Sequence, residues 1–291
     1  MRYLITGLPF KLGLKGSTDP KQIENRLSHK GIDIYEFHLV EEDLFGDRIH
    51  ELERAILRLK VQGVKVYLHH PMKCHEQILH INDEFSKAGD FFKLSTRILV
   101  DLCERYNCYV VVHWNYGRKN SLPEPDLAEK KSLIHTISRT IQFDEKYGKG
   151  RILWENGVRG VGAFRKDMYL ANLIIDTPLK LCFDVSHAFI SLNGDNELLY
   201  KTIELLQNHI HYYHVVDSKG IKHDSLMIGK GMIDFAQILP FILEKDYIYE
   251  ILLPDNLDCS EMIESHRIFK ELGEAYLVEG NKNKHHVRYS E

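Results

Sequence analysis

Leu181-Cys182-Phe183-Asp184-Val185-Ser186-His187-Ala188-Phe189 runs from an apolar stretch into a carboxylate, with an imidazole three residues further on. An apolar run of this length fits a strand buried on both faces. Such a strand ends on Asp and His where something uses their lone pairs, so Asp184 and His187 are the pivot of a candidate site. The arrangement recurs along the chain. Val64 to Leu68 runs into His69 and His70, Tyr109 to Val112 into His113, and Arg151 to Trp154 into Glu155. His211 to Tyr213 runs into His214, and Tyr247 to Tyr249 into Glu250. Six strand-like runs that each end on a metal-ligand residue type are hard to ascribe to chance.

Outward from these runs, strands and helices alternate. The first strand is expected at Tyr3 to Gly7, and a helix capped by Asp19, with Pro20 in its first turn, is closed by Gly31. Ile32 to His38 is the second strand, followed by an amphipathic helix from about Asp47 to Gln62 whose Ile49, Leu52, Ile56 and Leu59 share a face; Gly63 stops it. Further helices are expected at about Asp90 to Tyr106, from after Asp126 to Tyr147, at Arg165 to Ile175 and Glu197 to Gln207, near Asp234, and from Ser260 to Leu272. Eight alternations without a linker predict an α/β fold, a single (β/α)8 TIM barrel over residues 1–280, with a polar tail at 281–291. An open doubly wound sheet is the structural alternative, but no Gly-x-Gly-x-x-Gly follows the first strand to support its dinucleotide-binding form.

Composition narrows the function classes. The 291 residues carry 38 Lys and Arg against 42 Asp and Glu, a net charge of −4, which is not that of a generally basic nucleic-acid binder. The five cysteines (Cys74, Cys103, Cys108, Cys182, Cys259) are odd in number and lack C-x-x-C pairs, against both a disulfide framework and a zinc-thiolate site. The apolar start at Met1 to Gly7 is too short for a signal peptide, and no run approaches the roughly 18 apolar residues of a membrane helix. A soluble cytoplasmic protein with no membrane partner is the expectation.

In a barrel the strands' C-terminal ends meet in one mouth, where active sites of this fold lie. His69, His113, Glu155, Asp184, His214 and Glu250 are expected to converge there. Imidazoles and carboxylates without thiolates suit zinc or manganese, with cobalt or iron as alternatives, and the set is large enough for one to three ions. Among 17 histidines any single one, His70 especially, reads as a core or surface residue; the joint pattern is what favours a cation, because unpaired buried charges each cost several kcal/mol. Trp114-Asn115-Tyr116-Gly117-Arg118-Lys119 offers a surface for stacking a sugar or a base, and Lys219, Lys222 and Lys230 around Gly229 and Gly231 offer a phosphate loop. Glu36 and His38, at the end of the second strand, are weaker candidates for the site wall.

The segments Asp184-Val185-Ser186-His187-Ala188-Phe189, Glu155-Asn156, His214-Val215-Val216-Asp217-Ser218-Lys219 and Ile228-Gly229-Lys230-Gly231 resemble the xylose isomerase-like barrel superfamily, which includes endonuclease IV and sugar-phosphate isomerases and epimerases. The resemblance implies that Glu155, Asp184, His214 and Glu250 hold one divalent metal, that His69 and His113 add ligands for a second, and that His187 binds a third zinc or contacts substrate. Where endonuclease IV carries Asp-x-His, this chain has His223 and Ser225, so one ligand changes type and another is lost.

Two mechanisms follow from that resemblance. One is a metal-dependent isomerase or epimerase of a small sugar or sugar phosphate, in which Glu155 and Glu250 exchange a proton as base and acid through a metal-stabilised enediolate, with His187, Trp114, Lys219 and Lys230 binding substrate. The alternative is an endonuclease IV-like phosphodiesterase acting on damaged DNA; a non-catalytic metal- or sugar-binding barrel is the third reading.

Overall fold

The computed structural model describes residues 10–115 and 127–287. Eight parallel strands close a barrel: β1 Leu12–Gly16, β2 Ile32–His38, β3 Lys65–His69, β4 Tyr109–His113, β5 Ile152–Glu155, β6 Leu181–Asp184, β7 Ile210–Val215 and β8 Asp246–Tyr249. Each strand pairs with its neighbour in sequence, and Leu14 opposite Tyr249 joins the first strand to the last. Helices lie between the strands, so the fold is the expected (β/α)8 barrel.

Side chains alternate across a strand with a period of two, and this sets the interior in layers. Ile34, Tyr67, Val111, Leu153, Cys182, Tyr212 and Ile248 form one buried cluster inside the barrel. Two residues further along each chain segment stand Glu36, His69, His113, Glu155, Asp184, His214 and Glu250. An apolar layer therefore carries a titratable layer on its C-terminal side. A larger core, with Leu52, Ile56, Leu59, Leu99, Leu102, Leu199 and Ile203, fills the space between strands and helices.

Local signals explain the element ends. Asp19 Oδ1 accepts from the Lys21 N–H at 2.8 Å at the start of the helix Pro20–Ser28, and Gly31 and Gly63 take the left-handed conformation expected after a helix (φ +83° and +81°). The first strand is a correction: Tyr3 to Gly7 lie outside the described residues, and the strand that closes the barrel is Leu12–Gly16. The last helix, Ser260–Val287, runs beyond Leu272 and across the boundary expected at residue 280. Cys74, Cys103, Cys108, Cys182 and Cys259 are all free and buried. Among the described residues no helix is long and apolar enough to cross a membrane.

Candidate active site

The titratable layer converges on Glu155, whose side chain is fully buried. Glu155 Oε2 lies 2.7 Å from His113 Nε2 and 3.2 Å from His69 Nε2. Its other oxygen, Oε1, lies 3.3 Å from both His214 Nδ1 and His187 Nδ1. His214 Nδ1 is in turn 2.8 Å from Glu250 Oε2 and 3.9 Å from Asp184 Oδ2. Glu155 and Glu250 thus flank one imidazole nitrogen.

The orientation of these groups is set by their neighbours. Glu36 Oε2 accepts from His214 Nε2 at 3.0 Å, which orients the ring so that Nδ1 faces Glu155, Asp184 and Glu250. Asp184 caps the short helix Val185–Ser191: its Oδ1 accepts from the His187 N–H at 2.6 Å and from Ser186 Oγ at 3.0 Å. Its backbone is held by Asn156, whose amide exchanges two 2.9 Å bonds with the Asp184 N–H and C=O. His187 Nδ1 donates to the Asn156 carbonyl at 3.0 Å, turning Nε2 toward His223 Nε2, also at 3.0 Å.

Electrostatics match this crowding. Burial raises the Asp184 pKa to about 7, helped by Glu250 and Glu155 and opposed by the His187 charge. Burial works against charge on His187, but Asp184 and Glu155 outweigh it and push its pKa up to about 9. Burial also opposes ionisation of Glu36, yet His214 and His38 bring it down to about 2. In His113 burial prevails over the pull of Glu155, and the imidazole is held toward its neutral, ligand-competent form.

The residues fit a divalent cation. Glu155 Oε1, Asp184 Oδ2 and His214 Nδ1 are buried and meet only one another and neighbouring charged groups, outside good hydrogen-bond geometry, and a cation among them would satisfy all three. Glu155, Asp184, His214 and Glu250 offer ligand atoms that all lie within 4.8 Å of one another. His69, His113 and Glu155 form a second such group, and Glu36, His38 and His69 a third. His187 and His223 meet at the cavity wall, outside these groups.

Several expected site residues stand elsewhere. Trp114 is fully buried and stacks on Trp154 with ring centroids 6.3 Å apart, so it packs the core and is not available to substrate. Tyr116 to Lys119 lie outside the described residues. Lys219 and Lys230 are exposed and do not line the mouth, whereas Lys222 does. The Gly229 and Gly231 N–H groups are no phosphate cradle: they donate to Asp217 Oδ2 at 2.9 and 2.8 Å. His70 is a core residue, bonded to Ser95 Oγ at 2.8 Å and pushed down to about 3 by burial.

Other groups matter more than their sequence signal suggested. His38 Nε2 lies 3.1 Å from Glu250 Oε1 and 3.2 Å from Glu36 Oε1, and Lys15 Nζ lies 3.7 Å from Glu250 Oε1. Glu36 and His38 follow Ile34 at the inward spacing of two, a pattern visible in Ile32-Asp33-Ile34-Tyr35-Glu36-Phe37-His38. Above the floor opens a cavity of about 350 Å³ whose walls include His38, His69, His113, His187, Arg159 and Lys222.

Comparison with known proteins places the fold. The chain is similar to a solved D-tagatose 3-epimerase-like protein at 20% identity, with 93% of this chain and 99% of that one covered and a TM-score of 0.66. It is similar to the TTHB071 protein of Thermus thermophilus, soaked with ZnCl2, at 15% identity, with 90% and 97% covered and a TM-score of 0.66. The 3-keto-D-glucoside 4-epimerase of E. coli aligns at 16% identity, with 90% and 100% covered and a TM-score of 0.59. No curated protein matches. The model of the xylose isomerase-like TIM barrel family matches residues 27–256, and the chain belongs to that family.

Proposed function

We propose that this protein is a divalent-metal-dependent isomerase or epimerase of a small sugar or sugar phosphate. The observation that carries the reading is the group Glu155, Asp184, His214 and Glu250, whose ligand atoms lie within 4.8 Å of one another and whose Glu250 lines a cavity of about 350 Å³. That volume stands near the small end of ligand sites, which span roughly 300–1,000 Å³, and suits a monosaccharide. The names of the solved relatives, a D-tagatose 3-epimerase-like protein and a 3-keto-D-glucoside 4-epimerase, support the same substrate class.

Glu155, Asp184, His214 and Glu250 would hold the metal; zinc or manganese suits their mixed imidazole and carboxylate donors, with cobalt or iron as alternatives. Bound there, a divalent cation supplies Lewis acidity toward a carbonyl and its neighbouring hydroxyl. The chain's own residues do the rest. One of Glu155 and Glu250 takes the proton from the carbon beside the carbonyl, and the other returns a proton, so the product keeps the formula of the substrate. His38 and Lys15 steer Glu250, and Glu36 steers His214. Arg159 and Lys222, cations on the cavity wall, suit a phosphate substituent.

A candidate ketose or its phosphate incubated with the metal-loaded protein in D2O should gain deuterium at the carbon beside the carbonyl, read by NMR. A full panel of ketoses and their phosphates without exchange would overturn the reading. That Glu155 belongs both to the group with Asp184, His214 and Glu250 and to the group with His69 and His113 favours a second reading, a two-metal phosphodiesterase. Metal content decides between them. One ion per chain in wild type and in the His69→Ala/His113→Ala double variant supports the isomerase. More than one in wild type, falling by about one in the double variant, together with cleavage of an abasic-site oligonucleotide, supports the phosphodiesterase.

A further inference from the structure

A second set of metal-ligand side chains stands outside the mouth. After β3 the chain folds into a two-stranded hairpin, Lys73–Cys74 against Gln77–Ile78. His75 in its turn takes a left-handed backbone (φ +51°), and it packs against Glu41, which lies in the 3-10 turn after β2. Cys74 Sγ donates to Glu41 Oε1 at 3.5 Å, the His75 N–H donates to Glu41 Oε2 at 2.5 Å, and His75 Nδ1 lies 3.6 Å from that oxygen. The thiol, imidazole and carboxylate atoms all lie within 4.8 Å of one another.

These spacings are close to those of one coordination sphere. Tetrahedral zinc, with bonds of about 2.3 Å to sulfur and 2.0–2.2 Å to nitrogen and oxygen, separates its ligand atoms by roughly 3.3–3.7 Å. We propose that Glu41, Cys74 and His75 form a second metal site, for a thiophilic divalent cation such as zinc or cobalt. Its donor set is softer than the imidazole and carboxylate set of the mouth, so the two sites select differently among metals. Burial and Glu41 together raise the Cys74 thiol pKa, so the thiol proton leaves to solvent as the metal–sulfur bond forms. The Cys74 thiol is buried while the His75 side chain is 83% exposed, which leaves a coordination position open to solvent.

The site also has a place in the fold. It ties the hairpin to the 3-10 turn, and the hairpin forms part of the rim. Met72, just before it, lines the mouth cavity, and His80, just after it, pairs with Asn115, another cavity residue. The absence of C-x-x-C spacing, taken from the sequence as evidence against thiolate-bound zinc, does not bear on a site that uses one cysteine.

The test is a Co2+ titration of the full-length, metal-stripped protein, followed in the near ultraviolet, where a thiolate bound to cobalt absorbs by charge transfer. Wild type should show one thiolate-bound cobalt per chain. Cys74→Ser should abolish the band, and Cys182→Ala, which removes the thiol beside Glu155 and His214, should keep it. No band in wild type, or a band that survives in Cys74→Ser, overturns the proposal. Should Cys74→Ser fail to fold, the exposed His75→Ala substitution serves: the band's cobalt affinity should fall at least about 10-fold, and unchanged affinity overturns the site.

Discussion

The two ends of the barrel handle buried charge in opposite ways. At the N-terminal end Asp246, the first residue of β8, is surrounded by donors: Lys11 Nζ at 2.7 Å, Tyr67 Oη at 2.7 Å, and Lys65. Above it Tyr67 and Tyr212 stack face to face, ring centroids 4.0 Å apart, and seal the interior. At the C-terminal end Glu36 Oε1, Glu155 Oε1, Asp184 Oδ2 and His214 Nδ1 are buried and meet other titratable groups only outside good hydrogen-bond geometry. An unsatisfied buried polar atom costs about 1–3 kcal/mol, more when charged. One end is assembled for stability; the other keeps polar atoms unsatisfied for something that binds there, and substitutions at the two ends should separate these roles.

The largest effect is expected at Glu155. Glu155→Gln keeps the shape of the side chain but removes a charge shared by His69, His113, His187 and His214. Turnover should fall by about 10³ or more, the upper range for a lost acid–base group compounded by a lost ligand. Thermal stability of the metal-free protein should fall, because burial opposes the Glu155 charge but the imidazoles around it outweigh burial and hold it ionised, and its loss leaves them uncompensated. Retained turnover would remove Glu155 from the mechanism, and unchanged stability would mean that the imidazoles around it carry no charge in the metal-free protein.

Next comes Glu36, which of the four proposed ligands pairs with His214 alone. Glu36→Gln should weaken zinc or manganese binding by about 10–100-fold, the usual range for losing a group that orients a ligating histidine. Competition titration reads this directly. Unchanged affinity would mean that His214 is held by packing alone.

The comparison also shows why parts of this molecule were legible in its sequence. β3 to β8 announce themselves because an apolar run stops abruptly at a titratable residue, and period-two alternation carries that residue inward. β1 does not. Leu12-Gly13-Leu14-Lys15-Gly16 contains two glycines, each required by close approach: a Cβ on Gly13 would overlap the Tyr247 carbonyl, and one on Gly16 the Tyr35 hydroxyl. With its strand signal diluted, this segment lost to Tyr3 to Gly7, and Lys15 was missed with it. Trp114 and the loop at Gly229 failed for another reason. Whether a rim residue faces cavity or core, and whether loop N–H groups are already taken by Asp217, depends on contacts between distant segments that spacing does not encode.

The smallest effect on turnover is expected at the sealed end. Asp246→Asn is nearly isosteric, stands in the strand that leads to Glu250, and should leave metal content and turnover unchanged. It should cost about 1–3 kcal/mol of stability at neutral pH through weakened hydrogen bonds to Lys11, Lys65 and Tyr67. Burial alone would raise the Asp246 pKa, but those three donors outweigh it and hold it below the ordinary value. A carboxylate so depressed stabilises the fold above the ordinary Asp pKa, and that contribution is lost as pH falls through the folded value. The stability gap between wild type and Asp246→Asn should therefore be widest at neutral pH and shrink below about pH 4, as read by denaturant unfolding across that range. A gap independent of pH would assign the loss to packing, and a fall in turnover would mean that the base of the barrel transmits to its mouth.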